Sequence, residues 1–135
     1  MAEIRFALPE DRDFWFRLDR HLPESAFEAK RRDGQAYVLL AEEGPAGLLR
    51  WNLFWDNTPF CCLLYVEPGH QRRGFGRLLM ERWERDMRAG GHKLVLTSTQ
   101  ADESAQHFYR KLGYRDCGGL VLPGQSTELF LCKEL

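Results

Sequence analysis

The stretch of residues 63–76, LLYVEPGHQRRGFG, constrains the fold of this chain more than any other part of it. An apolar, strand-like run stops at Pro68 and Gly69, and a basic glycine turn, residues 71–76, then leads directly into an amphipathic helix. The first N–H groups of a helix lack partners within it and lie at the positive end of its dipole. Strand, turn and helix together predict a site for a phosphate-bearing ligand.

The sequence on either side of this turn predicts a β-α-β unit. Residues 60–67 form the strand-like run, and apolar residues then recur every four positions, as on the buried face of a helix: Phe75, Leu79, Trp83 and Met87. A glycine pair at 90–91 ends the helix, and residues 93–99 form another short strand. Because a helix of about fifteen residues separates the two strands, we expect them to be parallel.

The rest of the chain alternates strand and helix signals. The predicted strands are residues 3–8, 35–41, 46–55, 114–122 and 127–133, and the predicted helices begin at Pro9 and cover residues 24–32 and 102–112. The first two helices could instead be one interrupted helix. Thr99 or Asp102 could cap the last helix. We therefore expect a single α/β domain over residues 1–135, with an antiparallel meander before the turn and a hairpin at its end.

Composition and charge exclude several classes of function. A chain of 135 residues that is 44% hydrophobic can bury its own core, and a net charge of −1 argues against general binding of nucleic acid. We see no signal peptide or long apolar span, so we expect no membrane partner and a cytoplasmic protein. The cysteines show neither metal nor disulfide spacing, so we expect no metal and buried, reduced thiols. These cysteines are Cys61, Cys62, Cys117 and Cys132.

A second motif, AQHFYRKLGY at residues 105–114, makes the ligand more specific. Together with QRRGFG at residues 71–76, it closely resembles the GCN5-related N-acetyltransferase (GNAT) superfamily. The pyrophosphate turn of that family reads Q/R-x-x-G-x-G/A, and a later helix commonly reads A-x-x-F/L-Y-x-x-x-G-F/Y. Both motifs occur here in the family's order, and the resemblance covers nearly the whole chain.

The resemblance implies a fold and an acyl donor. The implied fold is a mixed, mainly antiparallel sheet of six or seven strands with helices on both sides and a β-α-β core that binds acyl-CoA. In this family the diphosphate of acetyl-CoA lies on the turn, and the pantetheine arm pairs like an added strand with the strand before it. The implied acetyl-CoA-binding residues are Leu64, Tyr65, Val66, Gln71, Arg72, Arg73, Gly74, Phe75 and Gly76.

The resemblance also implies that Tyr109 is the proton donor. In the family reaction an amine attacks the thioester carbonyl, and the CoA thiolate must then leave. A phenol has a pKa of about 10 and a thiol about 8.5, so the phenol keeps its proton at neutral pH and can hydrogen-bond to the departing sulfur. The alternative is that Tyr109 is a core aromatic residue on the apolar stripe that it shares with Phe108.

Two positions depart from the family pattern. Some family members carry a glutamate base early in the strand before the turn, where this chain has Phe60. Many relatives carry an asparagine at the position of Asp102, which accepts hydrogen bonds but does not donate them. Asp102 and Ser104 are candidate acetyl-CoA contacts, although Asp102 could be only a helix cap. We assign no residue as the base that deprotonates the amine, and a chain of water molecules would serve this purpose. Four nearby residues could accept a proton but have no motif that supports the role: Glu67, His70, Asp56 and His21.

These features predict an N-acetyltransferase that moves an acetyl group from acetyl-CoA to a primary amine by direct attack in a ternary complex. Near-neutral charge favours a small-molecule acceptor, and Trp51, Phe54 and Trp55 are candidates for lining its pocket. Family members are often dimers, so a homodimer is a candidate assembly. Two alternatives stay open: an acyl-CoA-binding sensor or partner module without catalysis, and a binder of another phosphate ligand.

Overall fold

The computed structural model describes residues 2–135. In chain order the elements are β1 (Glu3–Phe6), α1 (Arg12–Leu18), α2 (Phe27–Arg32), β2 (Ala36–Ala41), β3 (Gly44–Phe54), β4 (Thr58–Val66), α3 (Phe75–Ala89), β5 (Leu94–Gln100), α4 (Ala105–Lys111), β6 (Arg115–Leu120) and β7 (Glu128–Glu134). Short 3-10 turns at Pro9–Asp11, Glu24–Ala26 and Pro68–His70 come before α1, α2 and α3. Every predicted strand and helix is confirmed, and the first two helices are separate.

Within residues 2–135, seven strands form one mixed sheet in the order β1-β2-β3-β4-β5-β7-β6. β4 and β5 are parallel, as the intervening helix predicts. The pairs β1–β2, β2–β3, β5–β7 and β6–β7 are antiparallel. This arrangement confirms the mixed, mainly antiparallel α/β fold and the closing hairpin. It also shows that β7, and not β6, pairs with β5.

The chain divides into two compact units. The first contains the residues up to Asn52 together with Leu63–Trp83, and the second contains Leu53–Cys62 together with Glu84–Leu135. That residues 1–135 behave as one domain stays a prediction.

In the first unit, helices pack on both faces of the strands. Neighbouring side chains of a strand point to opposite faces, so Tyr37 and Val38 contact different helices. Trp15 and Phe27, from α1 and α2, pack against Val38. On the other face, the guanidinium of Arg82 in α3 lies 5.5 Å from the ring centroid of Tyr37.

Strand β3 and helix α3 approach each other closely at Gly47. A Cβ atom at that position would lie 3.2 Å from the carbonyl oxygen of Tyr65 and 3.3 Å from Cδ1 of Leu79. Both distances are shorter than ordinary van der Waals contacts between carbon and its neighbours. Glycine therefore permits this packing of β3 against β4 and α3.

A buried carboxylate holds the connection between α1 and α2. Asp19 accepts hydrogen bonds from Nε1 of Trp15 at 3.0 Å and from Nε of Arg50 at 2.8 Å. It also accepts the backbone N–H groups of His21 and Leu22, each at 3.1 Å. Burial by itself would raise the pKa of the Asp19 carboxyl, but Arg50 and these N–H groups outweigh burial and hold the pKa below its ordinary value.

In the second unit, a buried carboxylate connects α3 with the closing hairpin. Glu84 is 5% exposed, and it accepts hydrogen bonds from the hydroxyl of Tyr114 and from Nζ of Lys133, both at 2.8 Å. Burial first, and then the neighbouring Glu84 carboxylate, raise the pKa of Tyr114 well above that of an ordinary phenol. Tyr114 therefore stays a neutral hydrogen-bond donor in this cluster.

The prediction of buried thiols is right for Cys61 and wrong for Cys117. Cys61 is 2% exposed, whereas Cys62 and Cys132 are half-buried and Cys117 is exposed. Cys117 lies on the edge strand β6, at an irregularity in the register between Asp116 and Gly118. An edge strand has a neighbour on one side only, so the apolar character of a cysteine does not ensure its burial. Within residues 2–135, none of the four cysteines forms a disulfide.

Within residues 2–135, none of the helices is both long enough and apolar enough to span a bilayer.

Candidate functional site

The predicted anion-binding turn lies between β4 and α3 in the first unit. The turn passes through left-handed backbone at Arg72, with φ +66°, and at Gly74, with φ +79°. Helix α3 then begins at Phe75, and the carbonyl oxygen of Gly74 accepts the N–H of Leu78 at 3.1 Å. The first N–H groups of α3 have no acceptor within the helix. They and the positive end of the helix dipole are suited to bind an anion.

Side chains hold the turn in place. Nε2 of Gln71 donates to the carbonyl oxygen of Val66 at 3.0 Å, which joins the turn to the end of β4. The guanidinium of Arg73 lies 4.7 Å from the ring centroid of Phe75 and donates to Oε2 of Glu43 at 2.9 Å. Arg73 holds the pKa of the Glu43 carboxyl below its ordinary value. One arginine of the turn is thus oriented by its neighbours, and Arg72 is exposed.

Of the remaining predicted donor-binding residues, Gly76 is half-buried in the first turn of α3, and the other three lie on β4. Leu64, Tyr65 and Val66 are each half-buried on that strand. The parallel register of β4 with β5 consists of Phe60 opposite Leu96 and Cys61 opposite Thr97, although both strands continue beyond these pairs.

The predicted proton donor, Tyr109, is buried in α4 of the second unit with 6% of its surface exposed. Its ring contacts those of Phe108 and Tyr114, with centroids 5.3 and 5.8 Å away. Burial, and to a smaller extent Cys61, raise the pKa of Tyr109 above its ordinary value, while the side chain of Thr97 acts in the opposite direction. The phenol therefore keeps its proton at neutral pH.

Thr97 and Cys61 are two residues of this site that sequence reasoning misses. They are opposite each other in the β4–β5 register, and Oγ1 of Thr97 donates to the carbonyl oxygen of Cys61 at 3.1 Å. Both residues are buried, with exposures of 1% and 2%. No local pattern marks them, because their contact depends on strand register. The only signal near Thr97 is the strand-like segment LVLTST, in which both Thr97 and Thr99 are buried.

The structure places Asp102 and Ser104 in the turn before α4, where both are exposed. The helix begins at Ala105 with Ser104 in the N-cap position, and no side chain donates or accepts a capping hydrogen bond there. The predicted capping by Thr99 or Asp102 is therefore wrong. Thr99 instead hydrogen-bonds to Oε1 of Glu103, which also accepts the N–H of Gln100 and so closes the turn. Contact of Asp102 or Ser104 with acetyl-CoA stays a prediction.

The residues near the turn that could act as a base differ in their hydrogen-bond partners and in their exposure. Glu67 accepts a hydrogen bond from Arg17 at 2.9 Å. Nε2 of His70 lies 3.5 Å from Oε2 of Glu43, and its Nδ1 is buried without a hydrogen-bond partner among residues 2–135. His21 and Asp56 are exposed. None of these arrangements identifies a base.

The three aromatic candidates for an acceptor pocket have different positions. Trp51 is buried in the first unit, with its ring centroid 6.4 Å from that of Trp83. Phe54 and Trp55 line an apolar pocket of about 470 Å³ in the second unit, together with Leu96 and Phe130. Phe54 and Trp55 therefore remain candidates for contact with a ligand. Across residues 2–135, no group of three or more His, Cys, Asp or Glu side chains is arranged to hold a metal ion.

Comparisons with known proteins agree with this geometry. A family model described as the acetyltransferase (GNAT) family matches residues 4–114. A streptothricin acetyltransferase from Streptomyces lavendulae is 31% identical over 100 residues, which cover 70% of this chain and 52% of that protein. The chain thus spans about half the length of this curated relative.

Solved structures show the same fold at low sequence identity. Ard1 from Thermoplasma volcanium superposes with a TM-score of 0.87 at 17% identity, covering 99% of this chain and 97% of its own. The PaiA N-acetyltransferase from Thermoplasma acidophilum, solved in complex with coenzyme A, superposes with a TM-score of 0.77 at 16% identity, covering 100% and 99% of the two chains. With the family match over most of the chain, these findings show that the protein belongs to the GNAT family of acetyltransferases.

Proposed function

We propose that the protein transfers an acetyl group from acetyl-CoA to a primary amine of a small molecule, by direct attack in a ternary complex. The observation that carries this proposal is the turn of residues 71–76, whose left-handed Gly74 leads into the N-terminus of α3 directly after β4. A diphosphate needs several N–H donors that point the same way, and the start of a helix provides them.

Different residues bind the diphosphate and the pantetheine arm of acetyl-CoA. N–H groups of the turn and first helical residues bind the diphosphate, and the arginines of the turn add positive charge. The pantetheine amides pair with the backbone of Leu64, Tyr65 and Val66, because an amide chain can extend a sheet by the hydrogen bonds that strands use. Asp102 and Ser104 are additional candidate contacts for this arm.

Tyr109 supplies the proton that the leaving group needs. The amine nitrogen attacks the thioester carbon, the N–C bond forms, and the C–S bond breaks with its electron pair on sulfur. Tyr109 gives its phenolic proton to that sulfur, and CoA leaves as the thiol. The attacking nitrogen loses its extra proton to water, and the Tyr109 phenolate regains a proton from water. Because burial raises the pKa of Tyr109, the phenol is fully protonated before this step.

Three further properties belong to the proposal. Similarity to a streptothricin acetyltransferase and a net charge of −1 support a small-molecule acceptor over an acceptor attached to nucleic acid. The acceptor must be deprotonated to react, and an alkylamine has a pKa of about 10.4, so we expect turnover to rise with pH from neutral into the alkaline range. We also propose a cytoplasmic protein and, as the candidate assembly, a homodimer.

A screen that measures free CoA thiol with a panel of amines tests the function. The panel should contain aminoglycosides, streptothricin, polyamines, amino acids and peptides with free N-termini, each with acetyl-CoA and with propionyl-CoA. We expect amine-dependent release of CoA with at least one small molecule, and the acetylated amine in the mass spectrum. Faster turnover with peptides than with every small molecule would overturn the acceptor class and leave the acetyl transfer standing.

Binding of acetyl-CoA should be measured on the same samples by calorimetry. Tight binding without CoA release across the whole panel would support the alternative of an acyl-CoA-binding sensor. No detectable binding of acetyl-CoA, with binding of another phosphate compound, would show that the turn holds a different ligand.

A further inference from the structure

The apolar pocket of the second unit is lined without charge. Its volume of about 470 Å³ lies in the range of about 300–1,000 Å³ that is usual for small-molecule sites. Although 29% of the chain is charged, none of the described residues that line the pocket is Asp, Glu, Lys, Arg or His. Its large lining side chains are aromatic or aliphatic: Phe54, Trp55, Leu94, Leu96, Leu120 and Phe130. The pocket therefore suits an uncharged group of a ligand.

Packed aromatic rings form one wall of this pocket. The ring centroid of Phe54 lies 5.9 Å from that of Phe60 and 6.2 Å from that of Phe130. Phe60 and Phe130 are 5.6 Å apart, so each of the three rings contacts the other two. Phe60 also lies opposite Leu96 in the β4–β5 register. Because these side chains hold one another, the wall is formed before a ligand arrives.

The indole of Trp55 is placed beside this wall by an unfavourable backbone conformation. Trp55 and Asp56 have φ values of +56° and +62°. The N–H of Asn57 donates to the carbonyl oxygen of Phe54 at 3.2 Å. These are the features of a type I′ turn, whose central positions favour glycine, asparagine and aspartate. A bulky residue is rare in left-handed backbone. Since Trp55 is 78% exposed, burial of its indole offsets little of this strain.

Strained residues of this kind are found where a ligand site needs them. The ring centroid of Trp55 lies 4.7 Å from that of Phe54, and both residues line the pocket. Leu94 and Leu120 are also exposed, at 38% and 46%. An apolar group in the pocket would remove this surface from water, which is favourable in proportion to the area covered. A ligand thus supplies the contacts that the indole lacks in the free protein.

The proposed acetyl transfer needs a site for the acceptor apart from the site for the donor. In that proposal acetyl-CoA binds the end of β4, at residues 64–66, and the turn after it. The pocket lies at the beginning of the same strand, at Thr58. It also lies at the beginning of β5, at Leu94 and Leu96. The acceptor is therefore the reactant that this arrangement leaves for the pocket.

We propose that the pocket binds an uncharged aromatic or branched aliphatic group of the acceptor, with Trp55 as a specificity-determining residue. The inference rests on the proposed function and narrows its acceptor to amines that carry one such group. The reacting nitrogen stays outside the pocket, because the lining offers no carboxylate to pair with an ammonium group. A polyamine would have to place a second cation in this lining, so polyamines should be poor acceptors.

Two amines of similar length test this preference. 2-Phenylethylamine ends in a neutral ring, whereas 1,5-diaminopentane ends in a second ammonium group. We expect kcat/KM, measured by the release of CoA thiol, to be at least about tenfold higher for 2-phenylethylamine, since apolar pockets discriminate by about that much or more. An equal or lower value for 2-phenylethylamine would overturn the assignment.

Two variants of Trp55 separate specificity from stability. Trp55→Gly removes the indole and relieves the strain, and Trp55→Tyr keeps an aromatic ring in the same turn. Trp55→Gly should reduce the ratio of kcat/KM between the two amines by at least about tenfold, and Trp55→Tyr should keep it within about threefold. The Tm of Trp55→Gly should be no lower than that of the wild type, because glycine readily adopts left-handed backbone. An unchanged ratio, or a lower Tm that shows a role in stability, refutes the role of Trp55.

Binding can also be followed without turnover, because Trp55 is far more exposed than the other three tryptophans. 2-Phenylethylamine should change the tryptophan fluorescence of the wild type saturably, and that of Trp55→Gly much less. If the wild type shows this change but releases no CoA with any amine, the proposed function fails and the ligand class of the pocket stands. Without a saturable change, the pocket assignment fails even where acetyl transfer is confirmed.

A second copy of the chain is the competing occupant of the pocket. It would appear in analytical ultracentrifugation as a wild-type dimer that dissociates when Trp55 is replaced by glycine. We expect Trp55→Gly to leave the sedimentation coefficient unchanged. Dissociation of a dimer in this variant would overturn the proposal in favour of an interface between copies.

Discussion

Replacing Asp19 by alanine should destabilise the protein far more than any change at an exposed ion pair. The Asp19 side chain is 0% exposed and Arg50 only 11%. Its removal leaves the Arg50 guanidinium buried without its carboxylate, and it leaves the Trp15 indole and two backbone N–H groups without an acceptor. Removing one partner of a buried pair costs about 3–5 kcal/mol.

This loss of stability corresponds to a measurable decrease in the melting temperature, Tm. At about 2.1 cal/mol/K per residue, a chain of 135 residues has an unfolding entropy of about 0.28 kcal/mol/K. A loss of about 3–5 kcal/mol therefore lowers Tm by about 10–18 °C. Differential scanning calorimetry at neutral pH measures this shift, with circular dichroism at low temperature to check that the variant is folded.

The matched control is Arg17→Ala. Arg17 also forms an ion pair with a carboxylate, but its side chain is 64% exposed, and exposed pairs contribute about 0–1 kcal/mol. We expect its Tm to fall by no more than about 4 °C. A second control, Asp19→Ala with Arg50→Met, removes both charges and should recover part of the loss. A Tm of Asp19→Ala within the range of Arg17→Ala would refute the reasoning.

Acid pH should reproduce part of this effect in the wild type. The folded pKa of Asp19 lies below the value of about 3.9 that an aspartate has when unfolded. A group with a lowered folded pKa stabilises the protein above its unfolded pKa, and this contribution is lost as the pH falls through the folded pKa. The difference in Tm between wild type and Asp19→Asn should therefore shrink below about pH 4.

Further predictions concern the turn, the proton donor and the domain. Gly74→Glu should weaken acetyl-CoA binding by at least about tenfold in calorimetry, because it strains left-handed backbone and adds negative charge at the helix start. The matched control is Gly124→Glu, because Gly124 has a φ of +74°, close to the +79° of Gly74, and both positions have open space around an added Cβ atom. The Kd of Gly124→Glu for acetyl-CoA should match that of the wild type. Equal weakening of binding in the two variants would contradict the proposed role of the turn. Tyr109→Phe should lower kcat by about 10²–10⁴-fold, and unchanged turnover would remove Tyr109 from its role. Because burial raises the pKa of Tyr109, the wild-type enzyme should lose no kcat through ionisation of this phenol up to about pH 10. Urea unfolding should give one transition by both fluorescence and circular dichroism, and two separate transitions would contradict the single-domain prediction.

The strands and helices were predictable because each buries one face, and a buried face leaves a periodic pattern. Phe75, Leu79, Trp83 and Met87 of α3 are all buried, as their spacing predicts. The turn before this helix was also predictable, since Gly74 with φ +79° is a conformation that glycine adopts readily. These features depend on residues that are close in sequence.

Features that depend on strand register were not predictable. Thr97 meets Cys61 only because β5 lies beside β4 in one particular register. The insertion of β7 between β5 and β6 is likewise a property of the whole sheet. Cys117 is exposed because its strand is at the edge, and the cap predicted from Thr99 or Asp102 is absent because Glu103 closes that turn instead.

Because of the close approach at Gly47, we expect acetyl-CoA affinity to be sensitive to substitution at this position. A methyl group there would press on the carbonyl of Tyr65, in the strand proposed to bind pantetheine, and on Leu79, one turn into the helix whose first residues are proposed to bind diphosphate. The backbone carbonyl cannot rotate away as a side chain can. In a library of single substitutions selected for activity, even alanine at position 47 should therefore be depleted. The purified alanine variant should show a higher Kd for acetyl-CoA while it is still folded.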